Sequence, residues 1–252
     1  MKYLIFLLLG FSSIGHALPQ LENLPLLGQP IRAVISETNP PPFAMFDSQG
    51  QLTDGIGKAI VDTLAKDLRG VAEYQNVPRG RVLEWLRSGQ ADLACFLNPD
   101  WVDDPKAVDW SVPLLTSQQV IVRRRDSASI TQLNDLMGKR VGTTRGFFYP
   151  EFQTAFLQKQ IIRDDAISLT SNLQRLAQGR LDAVLSVDLS LNFTLRHNPQ
   201  WAGLFSADLL WSEAPQLMCA VSQSSPKRVQ LLRQLSRLQA EGRLDQLIAP
   251  YR

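Results

Sequence analysis

Side chains able to make and break bonds are scarce in this chain. Beyond residue 17 the one histidine is His197, in Arg196-His197-Asn198-Pro199, which reads as a helix end. There is no serine nucleophile elbow, no Cys-x-x-Cys, no His-x-x-x-His and no phosphate loop, so nucleophile–base pairs and zinc sites lack their parts. Asp100, Asp103 and Asp104 are crowded together, a spacing that reads as a solvated loop. What the chain does repeat is the material of a binding cleft. Gly138-Lys139-Arg140-Val141-Gly142-Thr143-Thr144-Arg145-Gly146 is followed, after a helical interval, by Gly179-Arg180-Leu181-Asp182-Ala183-Val184. Earlier, Glu37-Thr38-Asn39-Pro40-Pro41-Pro42-Phe43 is followed by Ser88-Gly89-Gln90-Ala91-Asp92-Leu93-Ala94. Each half reads as a strand opening into a loop at one edge of a sheet. The doubling implies two α/β lobes facing each other across a cleft, a geometry for engulfing a small molecule. No catalytic residue, metal or cofactor is expected.

The elements that would carry these loops follow from apolar spacing. Residues 18–29 are a lead rich in Pro, Leu and Gly. Strands are expected at 31–36, 71–77 and 92–97, with helices at 57–68 and 81–87, and this alternation argues for a parallel sheet covered on both faces. A second set places strands at 120–123, 140–143, 167–169 and 182–186. Its helices fall at 130–136, 151–160 and 173–178, the second of them introduced by Pro150. An amphipathic helix over 226–241, stopped by Gly242, closes the chain.

The first residues set the expected compartment. Met1-Lys2 gives a positive start, Tyr3 to Ile14 an apolar run, and Gly15-His16-Ala17 small residues two apart, the pattern of a secretory signal over 1–17. That run is shorter than the roughly 20 residues needed to span a bilayer. No cysteine follows it to take a lipid. The mature product is expected to be exported, soluble and monomeric. With 44% hydrophobic and 20% charged residues the composition is globular, and 26 basic against 24 acidic residues exclude a nucleic-acid partner on charge. Arg123-Arg124-Arg125 reads as three solvated charges at a strand end. Cys95 and Cys219, the two cysteines, are an even pair in an exported chain, although both lie in apolar runs where buried free thiols also occur.

Several motifs, taken in order, resemble the bacterial extracellular solute-binding proteins of family 3, whose best-known members serve polar amino-acid ABC transporters. The carriers are Pro42-Phe43 with Asp54-Gly55-Ile56-Gly57, then Leu86-Arg87-Ser88-Gly89-Gln90-Ala91-Asp92, then Asp109-Trp110-Ser111-Val112-Pro113-Leu114. Leu136-Met137-Gly138-Lys139-Arg140-Val141-Gly142, Gly179 to Val184, and Leu238-Gln239-Ala240-Glu241-Gly242-Arg243-Leu244 complete the set. The resemblance implies a type II periplasmic binding protein fold, in which each lobe is a mostly parallel sheet flanked by helices. Lobe one would hold 18–114 and 217–252, lobe two 115–216, with two hinge strands between them. In that arrangement the return strand lies beside the third strand of lobe one, bringing Cys219 close to Cys95.

The resemblance also implies where a ligand would sit, and where this chain departs from the family. Amino-acid binders of the family grip the ligand carboxylate with an arginine six residues before the aromatic of the Trp-Ser pair, and here that position is Asp104. The amine-binding aspartate falls on Val187, with Asp188 one step further, a step that turns a strand side chain to the opposite face. The candidate ligand contacts are Glu37, Phe43, Arg79, Arg145, Phe148, Tyr149 and Asp188. Arg79 stands where a stacking aromatic is usual. With Arg145 and the helix start at Tyr149-Pro150 it would form a receptor for an anion. Phe96 and Leu97 make the wall after the third strand more apolar. The expected function is capture of a small polar or anionic solute in the periplasm, delivered to an ABC importer permease. Two alternatives stand beside it: a binding protein without a transporter that reports to a sensor protein, and an enzyme resembling cyclohexadienyl dehydratases.

Overall fold

Residues 25–209 and 213–252 are described by the computed structural model; the expected signal segment lies outside them. Alternation of apolar strands with one-sided helices builds two sheets. The first set of elements is β1 (Pro30–Ile35), the small hairpin β2 (Met45–Phe46) and β3 (Leu52–Asp54), α1 (Ile56–Leu68), β4 (Val71–Asn76), α2 (Val82–Arg87), β5 (Leu93–Leu97), β6 (Val108–Trp110) and β7 (Leu115–Thr116). The second is β8 (Gln119–Arg124), β9 (Arg140–Thr144), α3 (Gln153–Leu157), β10 (Ile162–Ala166), α4 (Leu169–Ala177), β11 (Ala183–Val187), α5 (Asp188–Arg196) and β12 (Phe205–Asp208). The chain then returns through β13 (Gln216–Ser222), α6 (Arg228–Ala240) and α7 (Arg243–Ile248). The strand order is β4-β1-β5-β13-β6 in one sheet and β10-β9-β11-β8-β12 in the other. β7 pairs with the start of β13, so the outgoing and returning chains run side by side.

The repeated Gly-x-x-Asp motifs have the same mechanical role in both sheets. Gly89 and Gly179, at φ 69° and 70°, end helices in a conformation that costs glycine little. The aspartate three residues on then clamps the parallel neighbour. Asp92 accepts the Arg32 N–H at 2.8 Å and donates its own N–H to the Arg32 carbonyl at 2.8 Å. Asp182 does the same with Arg140, at 2.8 and 2.9 Å. These bonds start the β1–β5 and β9–β11 pairings that aim both strands at the cleft. The motifs therefore position the site without belonging to it.

Both faces of each sheet are covered. Ile60 and Leu64 of α1 pack with Leu231, Leu235 and Leu238 of α6 on one side of the first sheet, and Val82 and Leu86 of α2 on the other. Leu173 and Leu176 of α4 cover one side of the second sheet, while Phe152 and Ala155 near α3 cover the other. Each fully buried side chain of this size stabilises the fold by about 1.5–3 kcal/mol relative to exposure.

The structure corrects the sequence reading in three places. The expected strand at 167–169 is β10, five residues earlier, and Leu169 begins α4. β10 is an edge strand whose Arg163, Asp164 and Asp165 are engaged in ion pairs, which hides any apolar alternation. Of the helix expected over 130–136 there is one 3₁₀ turn, Leu133–Leu136. Arg123 is buried, not solvated: its guanidinium meets Asp208 at 2.7 Å and donates to the Ser127 carbonyl at 2.8 Å. Cys95 and Cys219, which face each other across β5 and β13, form a disulfide.

Candidate functional site

The first wall of the cleft is an aromatic pair seated by glycines. The α1 N-terminus receives the loop carbonyls, Ile56 N–H donating to Pro42 O at 2.9 Å and Gly57 N–H to Phe43 O at 3.0 Å. A Cβ at Gly55, whose φ is 121°, would lie 2.8 Å from Phe43 O, so this approach requires glycine. Phe43 then packs on Phe96 with ring centroids 4.8 Å apart. Phe96 is the extra residue of a β-bulge. Cys95 faces Cys219 and Leu97 faces Met218, leaving Phe96 between them at φ 63°. A bulky residue held in that region is strained by about 1–3 kcal/mol, and the bulge re-aims its ring into the cavity.

The second wall is the loop after β9. Tyr149 Oη accepts the Thr144 N–H at 2.9 Å, and Arg163 donates to the Phe147 carbonyl at 2.9 Å while lying over the Tyr149 and Phe156 rings. Burial pushes the Tyr149 phenol above its ordinary value, against the lowering effect of the Thr144 bond, so it stays neutral. These bonds anchor the loop at Phe147 and Tyr149, from which Phe148 also reaches the cavity opposite Phe43 and Phe96.

Between the walls is a cavity of about 80 Å³, several times the ~10–15 Å³ that one water requires. Phe43, Phe96 and Trp101 line it from the first sheet's side, and Phe147, Phe148 and Tyr149 from the second. Asn39, Gln119, Thr144 and Ser186 bring amide and hydroxyl groups, and Val187 lies in the lining where the resemblance puts an amine-binding aspartate. Among the described residues, the lining contains no Asp, Glu, Lys or Arg.

Of the candidate contacts, Phe43, Phe148 and Tyr149 lie in the lining, whereas Glu37, Arg79, Arg145 and Asp188 stand outside it. Glu37 is exposed beyond the end of β1, its backbone N–H donating to Asn76 Oδ1 at 3.0 Å. Arg145 is exposed on the loop after β9. Asp188 opens α5 and accepts from Ser117 Oγ and its neighbour Leu189 N–H, both at 2.7 Å, tying α5 to the crossing chain. Asp104 accepts from Arg87 at the surface. Arg79 is adjacent to the cavity: it donates to Asn39 Oδ1 at 3.3 Å and lies over the Phe147 ring, both partners being lining residues. Desolvation brings its guanidinium down to about 10, still charged at neutral pH.

Trp101, Gln119, Ser186 and Arg163 were not anticipated from the sequence. Trp101 and Gln119 carry no local signal, since long connections bring them to the cleft. Ser186 and Val187 could have been found as the last residues of a strand opening into the cleft.

Comparison with known proteins agrees with this architecture. The model of the bacterial extracellular solute-binding proteins, family 3, matches residues 32–252. The arginine-binding extracellular protein ArtP of Bacillus subtilis is 24% identical over 200 residues, covering 79% of this chain and 78% of ArtP. The probable ABC transporter extracellular-binding protein YckB of the same organism is 26% identical over 166 residues, covering 66% of this chain and 58% of YckB. Among solved structures, an ancestral arginine-binding protein bound to arginine superposes with a TM-score of 0.73 at 22% identity, covering 89% of this chain and 99% of that one, a likeness of fold. The chain belongs to the family 3 solute-binding proteins. Its fold is the two-lobed type II architecture, and the family's place of work is outside the cytoplasm.

Proposed function

We propose that this family 3 solute-binding protein captures a small polar or anionic solute between its lobes in the periplasm, after export directed by residues 1–17, and hands it to an ABC importer. The lobes are 18–114 with 217–252, and 115–216. The reading is supported above all by the cavity's composition from both sheets: Phe43 and Phe96 on one side, Phe147, Phe148 and Tyr149 on the other. A ligand there touches both walls only when the lobes are together, so binding favours closure. The usual amino-acid clamp is not retained. Asp104 is paired with Arg87 at the surface, and Val187 offers no charge to an ammonium group. The protein is a binder and not an enzyme. The anion receptor differs from the expected Arg79–Arg145 pair, because Arg145 is exposed on its loop while Arg79 adjoins the cavity through Asn39 and Phe147.

Small-angle scattering tests the reading, using a ligand identified by thermal-shift screening. The radius of gyration is expected to fall on saturation. A tight ligand that leaves it unchanged contradicts closure.

A further inference from the structure

Resting on the solute-binding reading, we infer a ligand class: a flat, apolar-bodied acid without an ammonium group, such as an aryl or arylalkyl carboxylate. Its ring packs among Phe43, Phe96 and Phe148, and its carboxylate is received by Arg79.

Three observations lead there. The lining is aromatic on both sides, which suits a flat apolar body whose rings stack offset or edge-on. No acidic residue among the described residues belongs to the lining, and Val187 occupies the place where the family resemblance puts one, so an α-amino acid would bury its ammonium without a counter-charge. The third is Arg79 itself. Arg32, Arg123 and Arg163 each meet an aspartate, at 3.1, 2.7 and 3.0 Å. Arg79 meets no carboxylate among the described residues. Among the described residues its side chain makes one 3.3 Å bond to Asn39 and lies over the face of Phe147, which leaves most of its five N–H donors for a ligand. Arg79 is half-buried, and a partly desolvated guanidinium without a counter-charge gains from an incoming carboxylate. The same positive charge disfavours a cationic ligand.

Calorimetry with matched compounds tests the class. Benzoate, phenylacetate and indole-3-acetate are each titrated beside the corresponding amide, and L-phenylalanine and L-tryptophan serve as forms that add an ammonium. One acid is expected to bind roughly 10- to 150-fold more tightly than its amide, the range of one charge-assisted hydrogen bond, and more tightly than either amino acid. Arg79→Ala should erase the acid–amide difference, whatever loss both compounds share from the missing contact with Phe147. Equal binding of acid and amide, tighter binding of an amino acid, or a ligand of another class from a thermal-shift library each overturns the inference and leaves the solute-binding reading standing. Silence from the panel and the library together overturns both.

Discussion

The guanidinium carbon of Arg79, which follows β4 in the first lobe, lies 4.6 Å from the centroid of the Phe147 ring, which follows β9 in the second. The contact joins the two lobes across the cleft using protein groups alone. Gly146, at φ 75°, eases the approach, because a Cβ there would lie a tight 3.2 Å from the Arg79 Cβ. A cation–π contact contributes about 0.5–2 kcal/mol. Removing it by Phe147→Ala should therefore lower the closed-to-open ratio of the ligand-free protein roughly 2- to 30-fold, read by single-molecule fluorescence between labels on the two lobes. An unchanged distribution would show that the contact carries no part of closure.

The two aromatic walls should respond differently to truncation. Phe148 is 45% exposed and Phe96 is buried against Phe43. Phe148→Ala is expected to weaken ligand binding while leaving chemical denaturation within about 0.5 kcal/mol of the parent. Phe96→Ala should cost about 3–5 kcal/mol, since the alanine Cβ leaves the positive-φ strain in place. Equal destabilisation by both would mean that Phe148 is a core residue and not a ligand wall.

The Cys95–Cys219 disulfide closes a loop of 124 residues that contains the whole second sheet. A cross-link across such a loop contributes about 2–5 kcal/mol, chiefly by restricting the unfolded chain. The Cys95→Ser, Cys219→Ser double variant should show a lower melting temperature that reductant no longer changes, whereas the parent should lose stability on reduction. Identical melting of parent and variant under oxidising conditions would contradict this.

Acid should unfold the protein through its clamped aspartates. Burial works to raise the Asp92 carboxyl, but the Arg32 bonds, the Ser225 hydroxyl and the Lys227 charge outweigh it and leave it below its ordinary value. Asp208, half-buried beside Arg123, behaves likewise. A carboxylate depressed in the folded state contributes stability above its unfolded pKa of about 3.9, and loses it as pH falls through the lower folded value. Stability to urea should thus fall steeply below about pH 4. Asp92→Asn should cost about 3–5 kcal/mol at pH 7, and the gap to the parent should narrow on acidification. A gap independent of pH would assign its effect to packing instead of charge.

Much of the fold was legible because it follows from apolar spacing and from the Gly-x-x-Asp motifs, whose aspartates both turned out to be strand clamps. β10 was misplaced because Arg163, Asp164 and Asp165 use an edge strand for ion pairs, erasing its alternation. At the site, Phe43, Phe148 and Tyr149 were readable as aromatics at loop edges. Trp101 and Gln119 were not, since they enter the cavity only through the folding of distant segments. Charge misled most. Glu37 and Asp188 read as ligand groups, yet Glu37 is exposed beside the Asn76 amide and Asp188 is occupied by Ser117. A sequence cannot show which ions a fold has already paired.

The interlobe cavity as a ligand site is tested most directly by native mass spectrometry of the protein after incubation with a small-molecule extract of the cells that make it. A single one-to-one adduct of low mass is expected, lost on denaturation and weakened by Phe148→Ala. The bare polypeptide mass alone, under conditions that preserve the fold, would contradict the account.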